Sequence, residues 1–403
     1  MNALKDLTVE EARARMLAAV APGAPEAVAL DRHAIGRVLA EPVLAARDQP
    51  PFDASAMDGY AARLGDGADS FEVVGESAAG RPFVGHVGAG QTVRIFTGAE
   101  VPPGCAVIVQ ERARREGSHV RFDGVVPSEP TNVRPRAGDF AAGDTLLAAG
   151  VRLDAWRLGL AAAAGRAAAE VYPQPRVAIL STGEEIVPAG TPGTLSSQIF
   201  DSNGPSLAAL VSRWGGQPIG LAPVGDDEDG IVAAVEAAPA ELIVAVGGAS
   251  VGDYDLVKPA LRRLGLELVV ESISLRPGKP TWFGKLADGR RVLGLPGNPA
   301  SALAAAELFL RPLLAAWQGA DATLRLERAR LARPLPETGP REHWMRACLE
   351  SGDDGSLRAV PFTDQDSSLV SVFASADALL RRPAGAPAAG VGDVVEVLRL
   401  DRL

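Results

Sequence analysis

At 403 residues and 41.6 kDa, the chain exceeds what one hydrophobic core ordinarily serves, which predicts about three domains. With 47% apolar and 22% charged residues it can bury real cores, so the disordered class is excluded despite 44 Gly and 31 Pro. A net charge of −10 and a pI near 5.1 argue against broad nucleic-acid binding, which needs clustered Lys and Arg; any anionic ligand must be met locally.

The N-terminal MNALKDLTVEEARARM has no apolar signal-peptide core, and Thr8 with Glu11 instead forms a candidate capping box for a helix over 8–20. A second helix is expected over 31–40. Residues 71–126 are short Val-, Ile- and Phe-containing runs broken by Gly and Pro, a β-rich module, and helical pattern returns at 154–168. The alanine-rich run Leu158–Ala169 carries Arg166 and falls short of the roughly 20 residues of a membrane helix, so no membrane partner is expected. Helices on either side of a β module suggest an insertion: a helical linker domain of 1–48 plus 141–173, interrupted by a β-rich domain at 49–140.

From 176 the pattern alternates: strand RVAIL (176–180), helix Pro205–Trp214, strand ELIVAV (241–246), helix 256–264, strand VLGL (292–295), then a helix begun near Pro299 and stopped after Pro312. This predicts a parallel α/β domain over 174–322. Residues 323–403 read as short strands with one helical stretch around 370–380, a small C-terminal β barrel. The expected fold is therefore multidomain α/β and β: an elongated helical and β-rich N-terminal half, a three-layer α/β domain and the barrel. Cys105 and Cys348 are far apart and outside CxxC spacing, which indicates neither a disulfide framework nor structural zinc and fits a reducing cytoplasm.

Three glycine-rich loops fall where α/β strands end: STGEE (181–185), GGASVGDYD (247–255) and LPGNP (295–299). Such loops bring free backbone N–H groups close to a phosphate, at the edge where parallel sheets bind ligands; each alone could equally be a tight turn. Glu184, Glu185, Asp226, Asp227, Asp253 and Asp255 lie on or near these loops, and carboxylates beside phosphate suit Mg²⁺. For VGDDED (224–229) the alternative is a solvated helix N-terminus. Lys258, Arg276 and Lys279 could clamp a phosphate or another oxyanion, the last two around the Pro-Gly turn of SLRPGKP, or be surface charge. No Walker A string occurs, and His33, His86, His119 and His343 are dispersed without a nucleophilic triad. In the first half, PPFDASAMDGYAAR (50–63) holds Asp58, which is a hairpin turn residue or a functional carboxylate. IFTGAEVPPGCAVIVQER (95–112) places Thr97 before a turn, and NVRPRAGDF (132–140) offers Arg134, Arg136 and Asp139 to a ligand or to a salt-bridged loop.

The strings PPFDASAMDGYA, FTGAEVPPGCAVI, NVRPRAGDF, ILSTGEE, GGASVGDYD, RPGKP and LPGNPASA occur in the order found in the MoeA family of molybdopterin molybdenumtransferases, related to the E domain of gephyrin. They span residues 50–301, and the chain resembles that family in domain plan nearly throughout.

The resemblance implies the following. The substrates are adenylylated molybdopterin and molybdate, with Mg²⁺ as cofactor and AMP as a product, and the protein is a cytoplasmic homodimer, with the upstream molybdopterin adenylyltransferase as a candidate partner. Asp58, Thr97, Arg134 and Asp139 would complete a site in trans. Glu185, Asp226 and Asp255 would be ligand or Mg²⁺ residues, and Arg276 with Lys279 an anion-binding pair. Gly247, Gly248, Ser250 and Gly252 would shape the phosphate loop beside Lys258. Pro296 and Pro299 would line the molybdate pocket, with Arg346 and Ser367 joining them from the C-terminal domain. The sequence departs from the family pattern in FTDQDSSLVS (362–371), where Asp364 and Asp366 bring negative charge, in Arg276 where some members carry Lys, and in Pro135, which is expected to stiffen its loop. An adenylyltransferase one step earlier and a receptor-binding scaffold are the rival readings.

Overall fold

The computed structural model describes residues 4–247, 256–352 and 354–400, and the chain divides into two compact units. One comprises the N-terminal segment through Glu26, Gly36–Ala40 and the chain from Val171 onward; the other is Ala27–Ile35 with Glu41–Glu170.

In the larger unit, a six-stranded sheet runs in the order Gln217–Gly220, Arg176–Ser181, Leu242–Val246, Arg291–Leu295, Trp282–Lys285 and Glu267–Val270. The first four strands are parallel, as helical crossovers require. Trp282–Lys285 runs antiparallel to both of its neighbours, and neither it nor the edge strand Glu267–Val270 is read from the sequence, because the Pro-Gly turn between them masks their short apolar runs. Strand residues alternate between two cores: Val177 and Ile179 face the helices Val9–Ala18, Asn203–Arg213 and Pro299–Ala305, while Ala178 and Leu180 face Glu228–Ala237 and Val257–Arg263. This makes the expected three layers. Gly294 allows the sheet to close over Trp282, since a Cβ there would lie 2.0 Å from the indole ring.

Thr8 and Glu11 form the expected capping box at the start of Val9–Ala18. The helix from Pro299 continues past Pro312 to Trp317, contrary to expectation. Arg311 donates to the carbonyl of Ala306, five residues back, and this widened turn over Ala306–Leu310 accommodates Pro312 directly after it. The helix is long and apolar enough to cross a membrane, yet it is the core helix of this unit, and 78% of its most apolar window is buried.

The C-terminal strands close into a five-stranded barrel. Glu342–Ser351 pairs with both Leu357–Pro361 and Ala378–Arg382, and Leu326–Leu331 and Val394–Arg399 complete the ring. The helical stretch is Val370–Ser375. Leu275–Arg276 pairs with Glu342 and His343, tying the RPGKP turn to the barrel. Trp344, Leu379 and Leu398 join the same core as the Pro299 helix, so barrel and α/β layers share buried surface.

The smaller unit holds a six-stranded sheet in the order Cys105–Val109, Gly59–Arg63, Gln91–Ile95, Phe71–Ser77, His119–Phe122 and Ala113–Glu116. Val133–Arg134 pairs with Ala54–Ser55 beside it. Residues 31–40 are not a helix: Asp31 caps a single 3-10 turn over Arg32–Ala34, and Gly36 ends it at φ +80°. Residues 1–48 and 141–173, expected to form one helical linker, join in part as strands, Val43–Leu44 pairing with Thr145–Leu147 in the smaller unit, while their two helices lie in different units. Val9, Ala12 and Met16 are buried in the core of the larger unit, whereas Ala155–Ala163 belongs to the smaller one and ends before Gly165 at φ +83°. An apolar helix face packs wherever a core accepts it, and periodicity alone does not name that core.

Candidate active site

The carboxyl ends of the parallel strands meet at a cleft of 670 Å³. It is lined by Ser181–Gly183 at the end of Arg176–Ser181, Gly247 after Leu242–Val246 and Pro296–Pro299 after Arg291–Leu295. Thr182 N–H donates to the Val246 carbonyl at 2.9 Å and Gly247 N–H to that of Leu295 at 3.2 Å, which knits the loops together. Gly247 sits at φ +96°, and a Cβ there would lie 2.6 Å from the Thr182 oxygen, so only glycine fits. Gly248, Ser250, Gly252 and Asp255 lie outside the described residues.

Glu185 and Asp226 both line this cleft and are exposed. The Glu185 carboxylate folds back over Gly183, whose missing side chain makes the room. In VGDDED the acids separate by role: Asp227 caps the helix Glu228–Ala237, accepting from Gly230 N–H at 2.9 Å, while Asp226 turns to the cleft. Among the described residues no three His, Cys, Asp or Glu side chains converge as a metal-holding group. The carboxylates of Glu185 and Asp226 on one cleft still fit the donor set of Mg²⁺, which takes one or two protein carboxylates and completes its shell with substrate phosphate and water.

Pro296 and Pro299 line the cleft, and the loop between them is tethered from two sides. Asn203 Nδ2 donates to the Gly297 carbonyl at 2.8 Å, and Asn298 Nδ2 donates to Ser367 Oγ at 2.9 Å. The Ser367 carbonyl also accepts from Ala300 N–H at 3.0 Å. Ser367 thus holds the loop, and its neighbour Ser368 reaches the cleft.

A second cavity, of 810 Å³, opens against the barrel wall. Arg276, Arg333, Arg341 and Arg382 line it with His343, opposed by Glu337, Asp364 and Asp366. Burial lowers the His343 pKa to about 4, with help from Arg276, Arg346, Arg341 and Arg382, so the imidazole is neutral near pH 7. On the same strand, Arg346 is fully buried; its Nη2 donates to the Asp366 carbonyl at 2.9 Å, while Nε and Nη1 have no hydrogen-bond partner among the described residues. Burial lowers its pKa, against the pull of Asp364 and Asp366.

Arg276 and Lys279, expected as one clamp, part company. The turn at Gly278, φ +116°, sends Arg276 to the barrel cavity, and Lys279 Nζ lies 3.5 Å from Asp6 Oδ1. Lys258 is half-buried with its ammonium 5.6 Å from the centre of the Trp282 ring.

In the smaller unit, Asp58 is not a hairpin turn residue, since Ala54–Ser55 and Gly59–Arg63 pair with different neighbours. Its Oδ1 accepts from Thr97 N–H at 2.7 Å and from Thr97 Oγ1 at 2.8 Å. These bonds, the backbone one first, hold the Asp58 pKa below the ordinary carboxylate value. Arg134 lies opposite Ala54 on the paired strand and is exposed, as is Asp139. Arg136 instead pairs with Asp48, the salt-bridged alternative for that loop.

Three family models match in register with this architecture: the MoeA N-terminal region (domain I and II) over residues 7–165, a probable molybdopterin binding domain over 178–316, and the MoeA C-terminal region (domain IV) over 328–400. A molybdopterin molybdenumtransferase of Haemophilus influenzae is 38% identical over 320 residues, covering 78% of this chain and 78% of the relative. The chain belongs to the MoeA family. A molybdopterin molybdenumtransferase of Bacillus subtilis is 30% identical over 406 residues, 97% of this chain and 94% of its own. The crystal structure of a molybdopterin biosynthesis MoeA protein from Pyrococcus horikosii superposes with a TM-score of 0.82 at 30% identity, covering 99% of this chain and 100% of that one.

Within this MoeA architecture, several site residues escaped the sequence reading. Asp201 and Asn203 line the cleft from the start of the Asn203–Arg213 helix, and His343 and Arg382 line the barrel cavity. The string FDSN before a helical pattern could have flagged the first pair. The second pair has no local signal, because it is assembled by cross-strand register, His343 opposite Arg382.

Proposed function

We propose that this chain inserts molybdenum into molybdopterin, taking adenylylated molybdopterin and molybdate and releasing AMP in molybdenum cofactor synthesis. The observation that carries the reading is the cleft where three strand-end loops lie beside Glu185 and Asp226, in a chain matched by the MoeA N-terminal and C-terminal models with a probable molybdopterin binding domain between them. The glycine backbone suits the phosphates, and positioning rather than a covalent enzyme nucleophile does the work. A molybdate oxygen attacks the adenylyl phosphorus and the bridging P–O bond breaks with its electron pair on the molybdopterin phosphate. The dithiolene sulfurs then capture molybdenum, displacing AMP, which leaves with one former molybdate oxygen.

Glu185 and Asp226, with Asp255, would hold Mg²⁺, which supplies Lewis-acid neutralisation of phosphate charge when bound. Gly247, Gly248, Ser250 and Gly252 would cradle phosphate, with Lys258 near it. Arg276, Lys279 and Arg346 would supply positive charge for the oxyanion, and Pro296, Pro299 and Ser367 would shape its pocket. A homodimer belongs to the same proposal, with Asp58, Thr97, Arg134 and Asp139 of one copy serving the other. So do a cytoplasmic setting and an encounter with the upstream molybdopterin adenylyltransferase. The net charge of −10 speaks against nucleic acid as a partner.

The experiment is AMP release from adenylylated molybdopterin by purified protein, with and without molybdate and Mg²⁺. Molybdate-dependent release is expected. Turnover of ATP and molybdopterin instead would identify the adenylyltransferase of the preceding step.

A further inference from the structure

The cleft has a wall that phosphate chemistry does not explain. Ile199 and Phe200 are 56% and 51% exposed although both line it, with Ile186 and Val370 beside them. An apolar surface held open next to glycine backbone and carboxylates suits the face of a flat heteroaromatic ring.

The residue after Phe200 supplies an edge. Asp201 Oδ2 accepts from the Ser181 hydroxyl at 2.9 Å, and Oδ1 accepts from Gly204 N–H at 2.9 Å. Each oxygen has a further lone pair, and the two bonds fix the plane of the carboxylate. Two parallel acceptors match two parallel N–H donors. The 2-amino-4-oxopyrimidine edge of a pterin offers that pair, an exocyclic amine beside a ring N–H. Adenine does not, since its amine adjoins an acceptor nitrogen.

We propose that Phe200 and Asp201 form the pterin-reading element of the cleft, Phe200 packing on the ring face and Asp201 accepting from its amino-pyrimidinone edge. The inference rests on the molybdenumtransferase reading and makes both residues binding and specificity determinants. It also orients the substrate: with the pterin at this wall, its phosphates run toward Gly183 and Gly247.

The test compares wild type with Asp201→Asn and Phe200→Ala, each checked for native circular dichroism. In steady-state AMP release, KM for adenylylated molybdopterin should rise about tenfold or more for Asp201→Asn, which replaces one acceptor by a donor, and about fivefold for Phe200→Ala, with smaller changes in kcat. AMP alone, titrated calorimetrically, should bind all three proteins equally. Unchanged KM in both variants overturns the inference, as does a matching loss of AMP affinity, which would put adenine at this wall. If wild type releases no AMP, the functional reading falls, and titration with neopterin, followed by its own fluorescence, decides the inference alone. Weaker binding by both variants supports it; equal binding, or none by wild type, overturns it.

Discussion

Asp58 accepts hydrogen bonds from the Thr97 N–H and hydroxyl on a single oxygen, Oδ1, which leaves Oδ2 unengaged among the described residues. Because the folded pKa is depressed, this carboxylate contributes stability above its unfolded value and loses it only as pH falls through the folded one. Thr97→Ala removes the hydroxyl bond and keeps the larger backbone one. The Asp58 midpoint, followed by carboxyl-carbon NMR, should therefore rise yet stay below the usual Asp range. A midpoint unmoved by the substitution would mean the hydroxyl does not bond Asp58 in solution. Asp58→Ala should abolish AMP release, and unchanged release would end its proposed role.

His343 predicts a pH dependence of opposite origin. Its folded pKa, about 4, lies below the ordinary value of 6.5, so the unfolded chain binds the proton first. Stability should be constant above about pH 7, fall as pH drops from about 6.5 toward 4, and level off below. Between pH 7 and 5 the loss should be about 1–2 kcal/mol, and His343→Gln should flatten it. Denaturant titrations at the two pH values measure this; an equal slope in both proteins would sink it.

Ser367 and Asn298 should behave as one tether. Ser367→Ala loses the 2.9 Å bond from Asn298 but keeps the carbonyl bond from Ala300. Each single substitution is expected to cost about 0.5–1.5 kcal/mol, and the double mutant little more than either. A double-mutant cycle on unfolding free energy reads the coupling, and strict additivity would mean the bond carries nothing.

Arg346 is buried with two guanidinium nitrogens that have no partner among the described residues, a cost that a purely structural residue need not bear. Arg346→Met should leave stability unchanged or raise it by up to about 2 kcal/mol. If the charge serves the oxyanion, the KM for molybdate in AMP release should rise about tenfold or more. Lost stability with unchanged KM would reverse the assignment.

Much was legible along the chain because it is local. The Thr8–Glu11 capping box, the strands at 176–181, 242–246 and 291–295, and the glycine loops at their ends are written in runs of a few residues. Composition and spacing alone reach an α/β protein with phosphate-sized loops and nearby acids, and the order of the motifs names the family. What misled was also local: residues 31–40 carry helical composition but close as one 3-10 turn, and Pro312 reads as a stop although the widened turn before it absorbs the proline.

What the sequence by itself determined is thus the set of chemical groups and the strand ends that carry them, since both depend on near neighbours. The tertiary structure alone decided which of those groups share a space. Asp227 caps a helix while Asp226 faces the cleft; Arg276 and Lys279 diverge at one turn; Ser367 grips Asn298 from a separate strand-closed barrel; and His343 meets Arg382 only through barrel register. These relationships join residues far apart in the chain, fixed by packing and strand pairing, and no short-range pattern encodes them.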